Sequence, residues 1–349
     1  MDHRRVLRAA IPALVLVVLL CAASPQPQSP SPLPASDVRS QLERAHTMLA
    51  AHAHDMRVRG VATSELIARI DDDLSQLGAS STQSSGPDQA SMELAARLDV
   101  SLVDQLLSSA SPAPPGSGAN EVLVPSTTAG SVQPLALYLP PSYDRARSAP
   151  LIIMLPNQGQ SETQLIATPY LRALADENQA VLAVPAFAAN RSFTGADGDA
   201  VYNVLDALQA SLHLDRRRVY LAGYSMGAFG IFMIAPQRPQ IWAALLSIAG
   251  TLTNEDKSSV VSAMAGKQVF MVAGSDDTQV DASYVRAAVT YLSANGVEAR
   301  YEEQLHGTHA LESLRPAVER AWRAMLSGVR NVAPESGFPS PEPTRTIHM

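Results

Sequence analysis

The sequence predicts an α/β fold: a mainly parallel sheet with helices on both faces, preceded by a small helical segment. Two observations carry this. Between residues 135 and 305, short apolar runs alternate with amphipathic stretches: "LALYLP", "LIIML", "AVLAVP", "RVYLAG", "AALLSIAG", "QVFMVAG" and "ARYEEQL". Such runs suit strands buried on both faces, which a sheet reaches when helices cover both of its sides. Between residues 36 and 110, apolar residues instead recur at helical spacing.

The elements follow in chain order. "MDHRRVLRAAIPALVLVVLLCAAS" joins three arginines, an apolar run over residues 11–20 and small residues at Cys21, Ala22 and Ala23. That is the three-part plan of a secretory signal peptide, residues 1–23, and its apolar run is short for a membrane span. It implies a secreted or periplasmic protein. Cys21 is the sole cysteine, which excludes an intramolecular disulfide. Its position resembles a bacterial lipoprotein lipidation site, with Leu20 where that motif carries Gly, Ala or Ser. Lipid anchoring at Cys21 is the alternative to secretion and the one route to a membrane.

Residues 24–35, with "SPQPQSPSPLP", read as a Pro/Ser-rich linker. Within the helical segment, residues 36–110, three stripes mark three helices. They are Leu42, Ala45, Met48 and Leu49; Leu66, Ile67 and Ile70; and Leu94, Leu98, Leu102 and Leu106. No metal is expected there. His52 and His54 are two apart and point to different sides of a helix, whereas helix-borne ligands sit four apart; His46 reads as helix surface with them. Asp71, Asp72 and Asp73 lack a glycine-containing oxygen-rich loop and read as a charged helix face.

"SPAPPGSGAN" marks a second linker at 111–120, and residues 121–330 hold the α/β domain. Its helical patterns fall at 162–177, 200–212, 226–237 and 282–295, and residues 331–349 are expected to be a disordered tail. Losing the three arginines and one aspartate of the signal moves the formal charge from −7 to −9. With no basic stripe, a nucleic-acid partner has no electrostatic support.

The chemistry gathers around "YLAGYSMGAFG" at residues 220–230. Ser225 stands between Gly223 and Gly227, after a strand-like run and before a helical one. Two glycines leave room for a sharp turn that pushes the serine out, and the helix N-terminus behind it faces a developing oxyanion with unpaired N–H groups. A nucleophilic serine needs a base, and the base an orienting acid. Downstream lie Asp276 and Asp277 at a strand end, then His306 and His309 after the next strand. The order Ser, Asp, His is the one expected for this architecture, and all three loops leave the same edge of the sheet.

These motifs resemble the α/β-hydrolase superfamily, specifically secreted esterases of the polyhydroxybutyrate-depolymerase, feruloyl-esterase and acetyl-xylan-esterase type. The resemblance runs over about residues 132–325 and rests on "LYLPPSYD", "APLIIMLPNQG", "LDRRRVYLAGYSMGAFG", "IAG", "GSDDTQV" and "HGTH". It implies a serine esterase with an α/β-hydrolase fold and no cofactor. The family's Gly-x-x-Asp-x-x-Val pattern implies Asp277 rather than Asp276 as the acid, and its Gly-x-His implies His309 rather than His306 as the base. The family also carries His-Gly and further glycines after the strand "LIIML", where this chain has "PNQGQ". By position, the Gln158 N–H is expected to join the Met226 N–H around the oxyanion, in a loop altered by the absence of glycine at 157.

The stretch "AFAANRSFTGADGD" is expected to rim the site, with Phe187, Arg191 and Phe193 as substrate contacts, and Tyr224 beside the nucleophile as another. Only 17 residues separate Gly250 from the strand at Gln268. That leaves no room for a large cap and implies an open cleft suited to bulky or polymeric esters. Three functions are compatible with these residues: a secreted serine esterase acting through an acyl-enzyme, a serine peptidase of the prolyl-oligopeptidase type, and a non-catalytic surface protein that keeps the fold.

Overall fold

The structure is a computed structural model that describes residues 35–54, 63–78, 88–108, 114–126, 131–187, 193 and 196–328. The expected signal peptide with Cys21, the first linker, Arg191 and the tail from 331 lie outside the described residues. The described residues form one compact unit.

One sheet of eight strands organises it: β1 (Gly118–Pro125), β2 (Val132–Leu139), β3 (Ala149–Leu155), β4 (Val181–Pro185), β5 (Leu214–Tyr224), β6 (Ala244–Ile248), β7 (Gln268–Gly274) and β8 (Glu298–Gln304). They lie in the order β1-β2-β4-β3-β5-β6-β7-β8. β2 pairs antiparallel with β1 and with β4, and all other pairs are parallel. Alternate residues of β3 serve opposite faces. Leu151, Ile153 and Leu155 join one core, while Ile152 and Met154 join the other. This two-sided burial is why the central strands read as unbroken apolar runs.

The first face is covered by α6 (Ala196–Ser211), α7 (Met226–Ile234) and α9 (Ala282–Ala294), with Trp242 fully buried among them. The second is covered by α5 (Pro169–Glu177) and α10 (Arg315–Ser327), with Trp322 at its centre. Only the short α8 (Lys257–Met264) stands between β6 and β7, so no large cap is inserted there.

Three expectations need correction. The helix expected over 162–177 is two helices, α4 (Glu162–Ile166) and α5, because Pro169 has no N–H to continue the first and sits at the start of the second. β1 begins at Gly118, inside the expected linker. It is an outer strand whose "GANEVLVP" carries polar residues that hide its pattern, and Asn120 ties back to the Gly116 and Gly118 carbonyls at 2.8 and 2.9 Å. Finally, Asp73 does not share an exposed face with Asp71; it is 4 % exposed.

The helical segment comprises α1 (Ala35–Ala51), α2 (Thr63–Gly78) and α3 (Gln89–Leu107). α3 starts on Asp88, whose side chain accepts the Ser91 N–H at 2.7 Å, a stabilising N-cap. Its apolar stripe divides. Leu102 and Leu106 close a core with Leu42, Leu49, Leu66 and Ile70, whereas Leu94 and Leu98 pack on the second face of the sheet domain. Leu123 of β1 and Val132 of β2 pack on the helical core in turn.

Candidate active site

The carboxyl ends of β3, β5, β6, β7 and β8 meet at one edge of the sheet, with Leu155 level with Gly223, Gly223 with Ser247, and Gly274 with Gln304. Ser225 stands where β5 turns into α7. Its backbone lies in the left-handed half of conformational space, φ +52°, a strained geometry for a residue with a side chain. The turn is held by the Ser225 N–H donating to Ile248 O at 2.9 Å. A Cβ on Gly223 would run into the Gly227 carbonyl, and one on Gly227 into the Leu155 carbonyl. The two glycines therefore allow β5, α7 and the end of β3 to touch backbone to backbone, which lifts the serine.

Ser225 Oγ lies 2.8 Å from His309 Nε2, and His309 Nδ1 lies 2.8 Å from Asp277 Oδ2. His309 and Asp277 are both nearly buried, at 9 % and 7 % exposed. The second oxygen of Asp277 accepts the Gln279 and Val280 N–H groups at 2.8 and 2.9 Å, so the carboxylate is pinned by its own turn. The neighbouring pair is elsewhere. His306 is exposed, 3.4 Å from Asp276, and its N–H donates to Ser275 Oγ at 2.7 Å. The Ser275 hydroxyl, with His306, holds the Asp276 carboxyl below its ordinary value.

Tyr224 differs from its expected role. It is 7 % exposed, and its hydroxyl donates to His309 O at 2.9 Å. Burial raises its pKa, opposed by the Leu311 backbone group against the same hydroxyl. A buried phenol that spends its proton on the histidine loop holds that loop. Tyr170 of α5 adds a bond to Leu311 O at 3.3 Å. Phe193 is corrected in the same way. It is fully buried beside Gly230 of α7, with its ring edge against Phe187 at 5.2 Å. It braces Phe187, which is partly exposed, and does not itself line an open surface.

After β3, where the Leu155 and Pro156 carbonyls lie against Gly227 of α7, residues Asn157 to Gln160 form a tight turn. The Gln160 N–H donates to Asn157 O at 3.2 Å, and Gly159 takes φ +75°. The Asn157 N–H donates to Gln160 Oε1 at 3.2 Å. The Gln158 N–H is engaged too: it donates to Asn157 Oδ1 at 2.6 Å. A side-chain carbonyl thus sits on the amide expected to meet an oxyanion. This is the physical consequence of the missing glycine. Met226 is the first residue of α7, where an N–H has no carbonyl of its own helix to meet.

The family described as Esterase PHB depolymerase matches residues 133–308, just over half of the chain. No curated protein matches the sequence. Among solved structures, a thermostable esterase superposes with a TM-score of 0.50 at 19 % identity, over 61 % of this chain and 63 % of that one, less than two thirds of its length. FphF, a fluorophosphonate-binding serine hydrolase of Staphylococcus aureus, gives a TM-score of 0.50 at 18 % identity, over 60 % of this chain and 99 % of that one. A ferulic acid esterase gives 0.50 at 12 % identity, over 60 % and 99 %. At such identities these likenesses speak for the fold alone. Fold and family match agree: the chain belongs to the Esterase PHB depolymerase family and carries a carboxylic-ester-hydrolase domain of the α/β-hydrolase fold.

Proposed function

We propose that this chain is an exported serine esterase that works through a Ser225–His309–Asp277 triad and an acyl-enzyme. The observation that carries it is the relay of two 2.8 Å contacts from Ser225 Oγ through His309 to Asp277. With Asp277 accepting from Nδ1–H, Nε2 is left unprotonated to take the Ser225 proton as Oγ attacks the ester carbonyl. His309 then returns the proton to the leaving alcohol, and water hydrolyses the acyl-enzyme by the same route. Met226 and Gln158 N–H groups receive the oxyanion. No metal or organic cofactor enters this cycle. The short β6–β7 connection leaves the cleft edge open, which favours bulky or polymeric esters, with Phe187 at the rim.

The direct test pairs two readouts on one preparation. A fluorophosphonate should label Ser225, and p-nitrophenyl acetate should be hydrolysed; Ser225→Ala should lose both. A folded wild-type protein that neither labels nor turns over would sink the proposal. Export is tested separately, by the mature N-terminus: Ser24 for signal cleavage after Ala23, a lipidated Cys21 for the anchored alternative.

The Asn157 contact adds a second expectation. Before an oxyanion can use the Gln158 N–H, the Asn157 Oδ1 must leave it. Asn157→Ala should therefore raise kcat on p-nitrophenyl acetate several-fold, below the ~10²-fold that a whole oxyanion donor supplies. An unchanged or lower kcat in the folded variant would show that the contact does not compete with the transition state.

A further inference from the structure

The helical segment contributes nothing to the relay, yet its most buried polar contacts lead to the loop after β3, residues 157–160. Arg69 of α2 reaches the sheet domain, where its Nη1 donates to Glu162 Oε1 at 2.7 Å and its Nη2 approaches Thr163 Oγ1 at 3.4 Å. The same guanidinium forks onto Asp99 of α3 through Nη2 and, at 3.4 Å, Nε. The Asp99 and Glu162 side chains are 1 % and 2 % exposed. Further along α2, Asp72 accepts from Gln164 Nε2 at 3.3 Å.

Glu162 and Gln164 lie in the first turn of α4, five residues long. A helix that short has no stability of its own and rests where its contacts hold it. Its N-cap is Ser161, whose hydroxyl accepts the Gln164 N–H while Gln164 Oε1 accepts the Ser161 N–H, each at 3.1 Å. Ser161 follows Gln160, the residue that accepts the Asn157 N–H. An unbroken set of bonds therefore runs from Arg69 and Asp72 through the first turn of α4 to Asn157 and Gln158.

We propose that the N-terminal helical unit is a brace for the oxyanion loop, with Arg69 as a positioning residue that acts through Glu162 on Asn157 and Gln158. This rests on the serine-esterase reading above. A half-buried guanidinium bridging two buried carboxylates sets their separation with a rigid planar fork, and so sets where α4 begins. A loop moved by a fraction of an ångström still admits substrate but places its N–H off the oxyanion. The loss then falls on the transition state and spares the ground state.

Arg69→Lys keeps a cation between the buried carboxylates, but a single ammonium cannot reproduce the fork. In the full-length protein it should lower kcat on p-nitrophenyl acetate about 10-fold, less than the outright loss of a donor, and leave KM within about 2-fold. Affinity for a trifluoromethyl ketone, which places an oxyanion in the same hole, should fall in step with kcat/KM. Thermal unfolding and near-UV circular dichroism check the fold. Arg69→Met/Asp99→Asn/Glu162→Gln, which removes the charges together, should show the same kcat-against-KM split. A folded variant of either kind with wild-type kcat, or with KM alone changed, overturns the brace. A wild-type protein inert to ester and fluorophosphonate overturns the serine-esterase reading instead.

Discussion

Asp277→Asn is expected to lower kcat by about 10⁴-fold with KM little changed, while Asp276→Asn stays within about 2-fold of wild type. The two aspartates are adjacent, and the difference follows from what each oxygen touches. Asp277 Oδ1 accepts two backbone N–H groups, and Oδ2 faces His309 Nδ1. An asparagine must keep its one carbonyl oxygen on those two donors, since turning its NH₂ toward them would bury donor against donor. The NH₂ then faces Nδ1, which must become an acceptor, and the ring proton moves to Nε2. An Nε2–H cannot take the Ser225 proton. Asp276 bonds to exposed groups, Ser275 and His306, at the surface, and its replacement leaves that relay intact. Steady-state kinetics on one ester read both. Equal losses in the two variants would reassign the acid.

How much of this site was legible in the sequence depended on how local its contacts are. The elbow was visible because its glycines and its serine lie within five residues, and their close approach is enforced by the turn itself. Asp277 was separable from Asp276 through the Gly-x-x-Asp-x-x-Val pattern, and the structure gives that pattern a cause. Gly274 ends β7, and the acid's other oxygen closes the turn onto Gln279 and Val280. Tyr224 and Phe193 were visible as residues near the site, but not as to which way they face. The left-handed backbone at Phe193, φ +57°, turns its ring inward onto Gly230, and no sequence pattern announces such a residue when it is not glycine.

The fold was legible where burial is two-sided and hidden where it is mixed. β3, β6, β7 and the second half of β5, from Val219, are almost wholly apolar because both faces are covered there. β1 has one neighbour strand and a buried glutamate, Glu121, so its run looks like linker. The Arg69 network was the least legible. Arg69 meets Glu162 across 93 positions of chain and Asp99 across 30, and each residue alone reads as ordinary helix surface. The one faint signal was Asp99 next to Leu98, a carboxylate on the border of an apolar stripe. It acquires meaning only once Arg69 is beside it.

That network also predicts how stability depends on pH. Asp73→Asn is expected to raise Tm at pH 8 by about 3 °C or more and to leave it unchanged at pH 4. Asp73, Asp99, Glu121 and Glu162 gather about Arg69, with Asp72 beside them, so carboxyl groups outnumber the cation. Asp73 Oδ2 and both Glu121 side-chain oxygens are buried with no hydrogen-bond donor on them. Burial, then the neighbouring Asp99, pushes Asp73 up to about 9 against the opposing pull of Arg69. Glu121 is raised by burial and by Glu162 in the same way. The unfolded chain releases the Asp73 proton near pH ~4, so between about pH 4 and pH 9 the native state binds the extra proton. Stability is then full below pH ~4 and declines as pH rises toward 9, where native Asp73 also ionises. Asparagine is neutral throughout and escapes that decline. Its advantage must be absent in acid, grow through the window and level off beyond it. Asp71→Asn is the matched control from the same three-aspartate run. Asp71 is exposed, 3.5 Å from His46, and its replacement should shift Tm by under about 1 °C at both pH values. A gain at Asp73 that is equal at pH 4 and pH 8 would show that its carboxyl ionises in the native state as it does in the unfolded chain.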